Sequence, residues 1–240
     1  MLKAGRAISF ELKHEAFPFQ IETLSVIKDL EYAAIFHEQG LGKTKIAIDL
    51  ALTWLANNVV DSAMIITKKS LIKNWEEEIA RHSYFKAKTL NQDAQTLFYA
   101  FNTPWRIYLT HYEACNSRKG RFALFLKTRR VGVICDESQK IKNPESTLAK
   151  AMHSLSSGFS RRVIMSGTPI ANRPYDIWSQ IWFLDQGASL GNDFATFQTE
   201  LDLPDEAGGN AGRQVFSRAL GELFGKIRAF TVRKTKATAG

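Results

Sequence analysis

The chain has 240 residues, of which 45% are hydrophobic and 23% charged, and these proportions are typical of a folded protein and exclude wholesale disorder. Its net charge of +8, from 32 Lys and Arg against 24 Asp and Glu, favours a polyanionic partner, nucleic acid above all. Because neither a signal-peptide pattern nor a membrane-spanning hydrophobic run is found, we expect a soluble intracellular protein without a membrane partner.

Short apolar runs alternate along the chain with segments that have the spacing of amphipathic helices. This alternation predicts an α/β fold with a mostly parallel central sheet that is flanked by helices. The predicted strands are 32–37, 62–67, a weaker one at 86–90, 105–110, 130–136 and 161–166. The predicted helices are 19–30, 43–57, 70–82, 119–128, 145–155, 174–185 and 214–226. The stretch 187–213 is rich in small and polar residues, and its part 205–212 is predicted to be a mobile loop.

The first candidate site is the segment HEQGLGKT at 37–44, between a predicted strand and a predicted helix. Glycines in such a loop allow backbone N–H groups to turn inward around phosphate oxygens, and Gly40 and Gly42 fill that need. Lys43 supplies a positive charge for the β- and γ-phosphates, and Thr44 supplies a hydroxyl ligand for Mg²⁺. The strict phosphate loop has glycine at the position of His37, so this loop is a variant whose interpretation depends on partners elsewhere.

The second candidate element is strand 130–136, which ends in the adjacent acids Asp136 and Glu137. We expect Asp136 to hold Mg²⁺ opposite Thr44, and Glu137 to orient and deprotonate an attacking water. A pair of acids at a strand end is also common as a solvated turn. The order of glycine loop, α/β pattern and acidic strand end favours a site for ATP and Mg²⁺.

The third candidate element is strand 161–166, which runs into Ser166, Gly167, Thr168 and Pro169. Ligands gather outside the carboxyl ends of parallel strands, so Ser166 and Thr168 are expected to hydrogen-bond the two acids and to sense the γ-phosphate. A turn that merely ends the strand at Pro169 explains the same residues, and this segment alone does not decide between the two.

Taken in order, these segments resemble the first RecA-like lobe of helicase superfamily two, and specifically of the Swi/Snf-like DNA-dependent ATPases. The matching segments are 17–20 (FPFQ), 38–44 (EQGLGKT), 65–67 (IIT), 70–75 (SLIKNW), 136–143 (DESQKIKN), 166–172 (SGTPIAN) with Trp178, and 232–236 (VRKTK). The resemblance covers roughly residues 15–236 and implies a RecA-like P-loop domain with a helical insertion after the 166–172 motif. It also implies that Gln20 contacts adenine and that Lys43 acts with Glu137 in catalysis.

The same resemblance implies that the turns after two strands face a double-stranded DNA partner. The candidate contacts are Lys68, Lys69, Ser70, Thr110, His111 and Tyr112. Lysine and hydroxyl groups suit contacts to phosphates, which position a protein on DNA without selecting a sequence. A lysine pair is equally compatible with an ordinary solvated surface.

Five residues depart from the family pattern. His37 stands where an acidic or small residue is usual, and Lys68 stands where proline is usual. Ser138 and Gln139 replace the Ala-His half of the acidic box, and Ser166 replaces a threonine. We expect Gln139 to hydrogen-bond toward Ser166 and Thr168 and so to couple this segment to the acids.

In motors of this kind ATP lies between two lobes, and the second lobe supplies arginines to the transferring phosphoryl group. We expect residues 1–240 to form the first lobe only and a second RecA-like lobe to exist in the full-length chain. We therefore expect weak nucleotide binding and little hydrolysis by this chain alone.

The leading hypothesis is the ATP-binding lobe of a DNA translocase, in the cytoplasm or nucleoid of a bacterium or a virus-infected cell, or alternatively in a nucleus. The alternatives are an RNA or DNA strand-separating helicase and a non-catalytic nucleic-acid-binding module that keeps the fold. A small-molecule P-loop kinase is disfavoured, because such enzymes rarely need the ordered motifs at 136 and 166.

Overall fold

A parallel β-sheet forms the centre of the computed structural model, which describes residues 10–90, 93–170, 173–201 and 210–239. Its strands are β1 (Tyr32–Ile35), β2 (Ser62–Thr67), β3 (Ala87–Thr89), β4 (Ile107–His111), β5 (Val131–Asp136), β6 (Arg161–Met165) and β7 (Thr231–Val232). Within the described ranges the seven strands follow the order β3-β4-β2-β5-β6-β1-β7, and every neighbouring pair is parallel.

Helices cover both faces of this sheet. They are α1 (Pro18–Ile27), α2 (Lys43–Ala56), α3 (Ile72–His82), α4 (Ala94–Asn102), α5 (Tyr112–Ser117), α6 (Lys119–Thr128), α7 (Thr147–Ser156), α8 (Trp178–Asp185), α9 (Phe194–Leu201) and α10 (Asn210–Ile227). Short 3₁₀ helices span Lys69–Leu71, Ser138–Ile141, Pro174–Ile177, Arg228–Phe230 and Lys236–Thr238. Across the described ranges, no helix combines the length and apolar character that crossing a bilayer requires.

The central strands are continuous apolar runs because both of their faces are covered. All six residues of β2 are buried, and consecutive residues point to opposite faces. Ile65 packs into one hydrophobic cluster together with Trp54 of α2, whereas Ile66 packs into the other together with Phe122 of α6. The sheet therefore separates two apolar layers.

The strand register brings the carboxyl ends of β2, β4, β5 and β6 to one edge of the sheet. Thr67 pairs with His111, and Asp136 pairs with Met165. Ligand sites of parallel sheets lie at this edge. The segments that follow β1, β5 and β6 therefore meet there.

The predicted fold class is confirmed, with a sheet that is all parallel over the described residues rather than mostly parallel. The strong predicted strands all exist within one or two residues of their predicted ends. Among the described elements, three helices and one strand escaped prediction, namely α4, α5, α9 and β7.

The stretch 187–213 contains one helix that the prediction missed, α9. Asp193 begins it by accepting a hydrogen bond from the backbone N–H of Thr196 at 3.2 Å, and Phe197 and Leu201 bury its inner side. No helix was assigned to these residues, but α9 lies where the resemblance implies a helical insertion after the 166–172 motif. Of the predicted mobile loop 205–212, residues 205–209 lie outside the described residues and 210–212 belong to α10.

Candidate active site

The phosphate-type loop connects β1 to α2 and depends on two glycines in left-handed conformations. Gly40 has φ of 87° and Gly42 has φ of 63°, a region that side chains with a Cβ rarely adopt. A Cβ at Gly42 would also lie 2.3 Å from Nε2 of Gln20. α2 starts at the next residue, Lys43, and the first N–H groups of a helix have no partner within it. The loop thus presents a helix N-terminus, which favours anions.

The ammonium of Lys43 lies inside this loop. Its Nζ donates to the backbone carbonyls of His37 at 2.8 Å and Glu38 at 3.1 Å. Burial lowers the pKa of Lys43, while the carboxylates of Asp136 and Glu137 act to raise it. A half-buried cation is therefore held in the loop, close enough to the two acids at the end of β5 to interact with their charges.

His37 connects the loop to two distant parts of the chain. Its Nδ1 accepts the backbone N–H of Lys234 at 3.2 Å, so the ring proton is on Nε2, which donates to the Thr23 hydroxyl at 2.9 Å. That hydroxyl donates in turn to the carbonyl of Phe19 at 2.8 Å. Burial, followed by the charges of Lys43 and Lys234, lowers the pKa of His37 from 6.5 to about 4. A neutral imidazole therefore joins the loop, α1 and the 232–236 segment.

Gln20 lies in the first turn of α1 and is only 4% exposed. Its Oε1 accepts the backbone N–H of Phe17 at 2.9 Å, and its Nε2 lies 3.5 Å from the carbonyl oxygen of Gly42. An open cavity of about 390 Å³ lies beside this turn. The cavity is lined by Phe17, Pro18, Phe19, Glu22, Lys234, Thr238 and Ala239. The amide of Gln20 thus links α1 to the loop at the edge of a cavity with aromatic walls.

The Asp136 carboxylate is fixed by donors from three elements. Oδ2 accepts the Thr67 hydroxyl at 3.0 Å and the Trp75 indole N–H at 2.9 Å, and Oδ1 accepts the Glu137 backbone N–H at 3.0 Å. The Tyr112 hydroxyl donates to the Asp136 carbonyl at 2.8 Å. Burial raises the pKa of Asp136, and the hydrogen bonds from Trp75 and Thr67 oppose that rise. The result is an oriented oxygen ligand at the sheet edge.

Glu137 follows immediately in a left-handed conformation, with φ of 54°. Such a conformation is uncommon for residues other than glycine and is found most often in turns or functional sites. It turns the chain away from β5. The Lys68 ammonium lies 3.1 Å from Oε2 of Glu137, and the Gln139 side-chain amide donates to the same oxygen.

A line of hydrogen bonds runs from the segment after β6 to Glu137. The Thr168 backbone N–H donates to the Ser166 hydroxyl at 3.0 Å, and that hydroxyl donates to Oε1 of Gln139 at 2.9 Å. The side-chain amide of Gln139 donates in turn to Oε2 of Glu137. The sequence led us to expect both a direct contact of Ser166 with the acids and a hydrogen bond of Gln139 toward Ser166. The structure has the second, so Ser166 reaches Glu137 through Gln139.

Gly167 brings the same segment against the phosphate loop. A Cβ at this position would lie 2.8 Å from Cγ of Gln39 and 3.7 Å from Nζ of Lys43. Of the matched segment 166–172, Ala171 and Asn172 lie outside the described residues.

Three of the predicted DNA contacts lie on the turn after β2. Lys69 and Ser70 are exposed, and the side chain of Lys68 is 36% exposed. This turn lies at the same edge of the sheet as the acids.

The other three residues predicted to contact DNA are buried. Thr110 is fully buried, with its hydroxyl donating to the Leu90 carbonyl at 3.1 Å. His111 is 4% exposed, and its Nδ1 lies 3.0 Å from Oε2 of Glu113. Tyr112 is also fully buried. These three side chains have almost no surface available for a phosphate, so we leave them out of the candidate interface.

Sequence reasoning missed Thr67 and Trp75 as supports of Asp136. Trp75 is buried, and its indole N–H is directed to the acid. The available signal was position: Thr67 ends β2, which pairs directly with β5.

Comparison with known proteins gives consistent matches over most of the chain. Residues 19–239 match the family model described as SNF2-related domain. The mouse (Mus musculus) DNA repair and recombination protein RAD54-like is 32% identical over 221 residues, which cover 82% of this chain and 28% of that protein. The chromatin-remodeling ATPase INO80 of Lodderomyces elongisporus is 28% identical over 235 residues, covering 88% of this chain and 14% of that protein.

A solved structure, the Sulfolobus solfataricus SWI2/SNF2 ATPase core in complex with dsDNA, superimposes with a TM-score of 0.74 at 26% identity. The match covers 94% of this chain and 45% of that one. This chain therefore spans less than half the length of each of these three proteins.

Proposed function

The chain belongs to the SNF2-related domain family, and on that premise we propose that it is the ATP-binding lobe of a DNA-dependent ATPase that translocates on double-stranded DNA. One observation supports this most strongly. The Lys43 ammonium lies within electrostatic reach of both acids at the end of β5, Asp136 and Glu137. A cation in a glycine loop opposite two carboxylates is the arrangement that phosphoryl transfer requires.

The residues of the loop fit a nucleotide triphosphate with Mg²⁺. The left-handed Gly42 leaves the N-terminus of α2 open toward an anion, and Lys43 can exchange two backbone carbonyls for phosphate oxygens. Thr44 and Asp136 offer the hydroxyl and carboxylate oxygens that Mg²⁺ prefers. When bound, Mg-ATP supplies the phosphoryl group, and its Mg²⁺ neutralises part of the phosphate charge.

Glu137 is the residue we assign to accept a proton from the attacking water. Lys68 and Gln139 both contact Oε2, and we assign Oε1 to the water. Through Gln139, the position of Ser166 is transmitted to this carboxylate. The segment after β6 would thereby couple the phosphate loop to the base.

We assign adenine recognition to Gln20 and the neighbouring aromatic cavity. The Phe17 ring is 67% exposed and stacks on Phe19 with ring planes 5° apart. An exposed ring stacked on a half-buried one, beside a buried amide, suits a planar base with hydrogen-bonding edges. Because Gln20 already contacts the backbone of Phe17 and Gly42, adenine binding would exchange these contacts.

DNA is assigned to the exposed turn of Lys68, Lys69 and Ser70, and the net charge of +8 favours the same partner. We place the protein with the genome, in a nucleoid or a nucleus, since the relatives are named for DNA repair and chromatin remodelling.

We further propose that a second lobe of the full-length protein supplies the arginines that this site needs, and that the isolated chain hydrolyses little ATP.

The test is ATP hydrolysis by the full-length protein with duplex DNA, single-stranded DNA or RNA. Duplex DNA should stimulate hydrolysis most.

Glu137→Gln should lower kcat by about 10²–10⁴ with near-normal nucleotide binding. The exposed Lys73 of α3 provides a matched control, and Lys73→Met should behave as wild type. Strongest stimulation by RNA, or unchanged hydrolysis by Glu137→Gln, would contradict the proposal.

A further inference from the structure

Lys68 occupies a backbone position that suits the proline usual in the family. It precedes the 3₁₀ helix Lys69–Leu71 with φ of −70° and ψ of 143°, which are values that proline adopts without strain. This backbone therefore suits either residue, and lysine differs from proline here in its side chain. That side chain carries an ammonium group at the end of a flexible stem.

That ammonium is bound to the proposed catalytic base. Its Nζ lies 3.1 Å from Oε2 of Glu137, and this oxygen also accepts the side-chain amide of Gln139. The ion pair holds the carboxylate toward the end of β2. While both donors hold Oε2, the ion pair fixes the direction in which Oε1 faces a water molecule.

The same ammonium is open to a second anion. The Lys68 side chain is 36% exposed, against 25% for Glu137, and it is flanked on the outer side by the exposed Lys69 and Ser70. A partly exposed ion pair is weak, whereas duplex DNA carries about one negative charge per 1.7 Å of its axis. A phosphate on this turn would compete effectively for Lys68.

We propose that Lys68 is a positioning residue that holds Glu137 while DNA is absent and transfers to a DNA phosphate when duplex binds. DNA binding then frees the carboxylate for proton transfer, which makes hydrolysis depend on DNA. This inference rests on the proposed function, because it concerns the regulation of the same site.

The first test measures ATP hydrolysis by the full-length protein without DNA and with saturating duplex. Lys68→Pro and Lys68→Met should raise the DNA-free rate about two- to fivefold, the size expected for one partly exposed ion pair. The DNA-saturated kcat should stay within about twofold, so that the stimulation ratio falls. Lys68→Arg should keep the low DNA-free rate, and the Lys73→Met control should keep both rates.

The second test needs no hydrolysis. Since DNA and Glu137 compete for one ammonium, removing the Glu137 charge should tighten DNA binding through Lys68. Without nucleotide, Glu137→Gln should strengthen binding of a labelled duplex about threefold, and this gain should disappear in a Lys68→Met background. Equal strengthening in both backgrounds would mean only a general charge effect and would overturn the inference.

The outcomes separate the two proposals. A wild-type protein without DNA-stimulated hydrolysis overturns the proposed function, and this inference with it. A stimulated wild type whose stimulation ratio is unchanged in both Lys68→Pro and Lys68→Met overturns this inference alone.

Discussion

Mild acidification is predicted to destabilise the folded chain through His37. The ring is completely buried, and its Nδ1 accepts a backbone N–H from Lys234 while Nε2 donates to Thr23. Burial, followed by the charges of Lys43 and Lys234, disfavours a second ring proton, and the backbone N–H of Lys234 already occupies Nδ1. The neutral ring is thus strongly preferred in the folded state.

The size of the effect follows from the pKa of His37, which is lowered from 6.5 to about 4. Because the pKa is lower in the folded state, the unfolded chain takes up the proton first as pH falls. Stability from this residue is therefore present above pH 6.5 and is lost progressively toward pH 4. Between pH 7 and pH 5 the loss is about 2 kcal/mol, since each pH unit inside the window costs ~1.4 kcal/mol.

Denaturant unfolding at pH 7 and pH 5, followed by tryptophan fluorescence, measures this loss. His37→Gln keeps an amide that can bond to Thr23 but does not titrate in this range. The wild type should lose about 2 kcal/mol more than this variant between the two pH values. All other titrating groups are common to both proteins and cancel. Equal losses in the two proteins would refute the reasoning.

Three further substitutions test contacts of the fold and the site. Gly42→Ala forces a left-handed alanine against Gln20 and should weaken Mg-ATP binding at least about tenfold by calorimetry. Trp75→Phe removes the indole donor of Asp136 and should lower the free energy of unfolding by about 1–2 kcal/mol in denaturant titration. Arg162→Met leaves three backbone carbonyls without their buried donor and should cost about 3–5 kcal/mol in the same titration.

Matched controls distinguish these effects from general damage. Gly225→Ala has open space at its Cβ and should leave nucleotide binding unchanged. Arg130 forms an exposed ion pair with Asp61, so Arg130→Met should cost at most about 1 kcal/mol. If Arg162→Met costs no more than Arg130→Met, the buried arginine does not hold its three carbonyls as described.

The sheet could be predicted because each central strand has a recognisable local sequence pattern. β2 and β5 are apolar runs that end at polar residues, and burial on both faces makes that pattern continuous. α9 was missed because its inner residues, Phe197 and Leu201, recur only once per turn among small and polar neighbours. Such a helix is stabilised by what it packs against, which the sequence does not display.

Local sequence motifs were likewise sufficient to identify Lys43, Asp136 and Glu137 as candidate site residues. The role of His37 was not predictable, because its two partners lie 14 and 197 residues away along the chain. Thr110 was misjudged for a related reason. Its position near the end of β4 indicated an accessible hydroxyl, but every residue of that strand is buried.

Binding of Mg-ATP to the full-length protein tests the central claim most directly. Lys43→Ala removes the ammonium that the loop holds within electrostatic reach of the two acids, whereas Lys73→Ala removes an exposed lysine of α3. Calorimetry should show that Lys43→Ala binds Mg-ATP at least about tenfold more weakly, as loss of a charge-assisted phosphate contact requires, and that Lys73→Ala binds as wild type. Equal affinity of Lys43→Ala and wild type would contradict the assignment of this lobe as the ATP site.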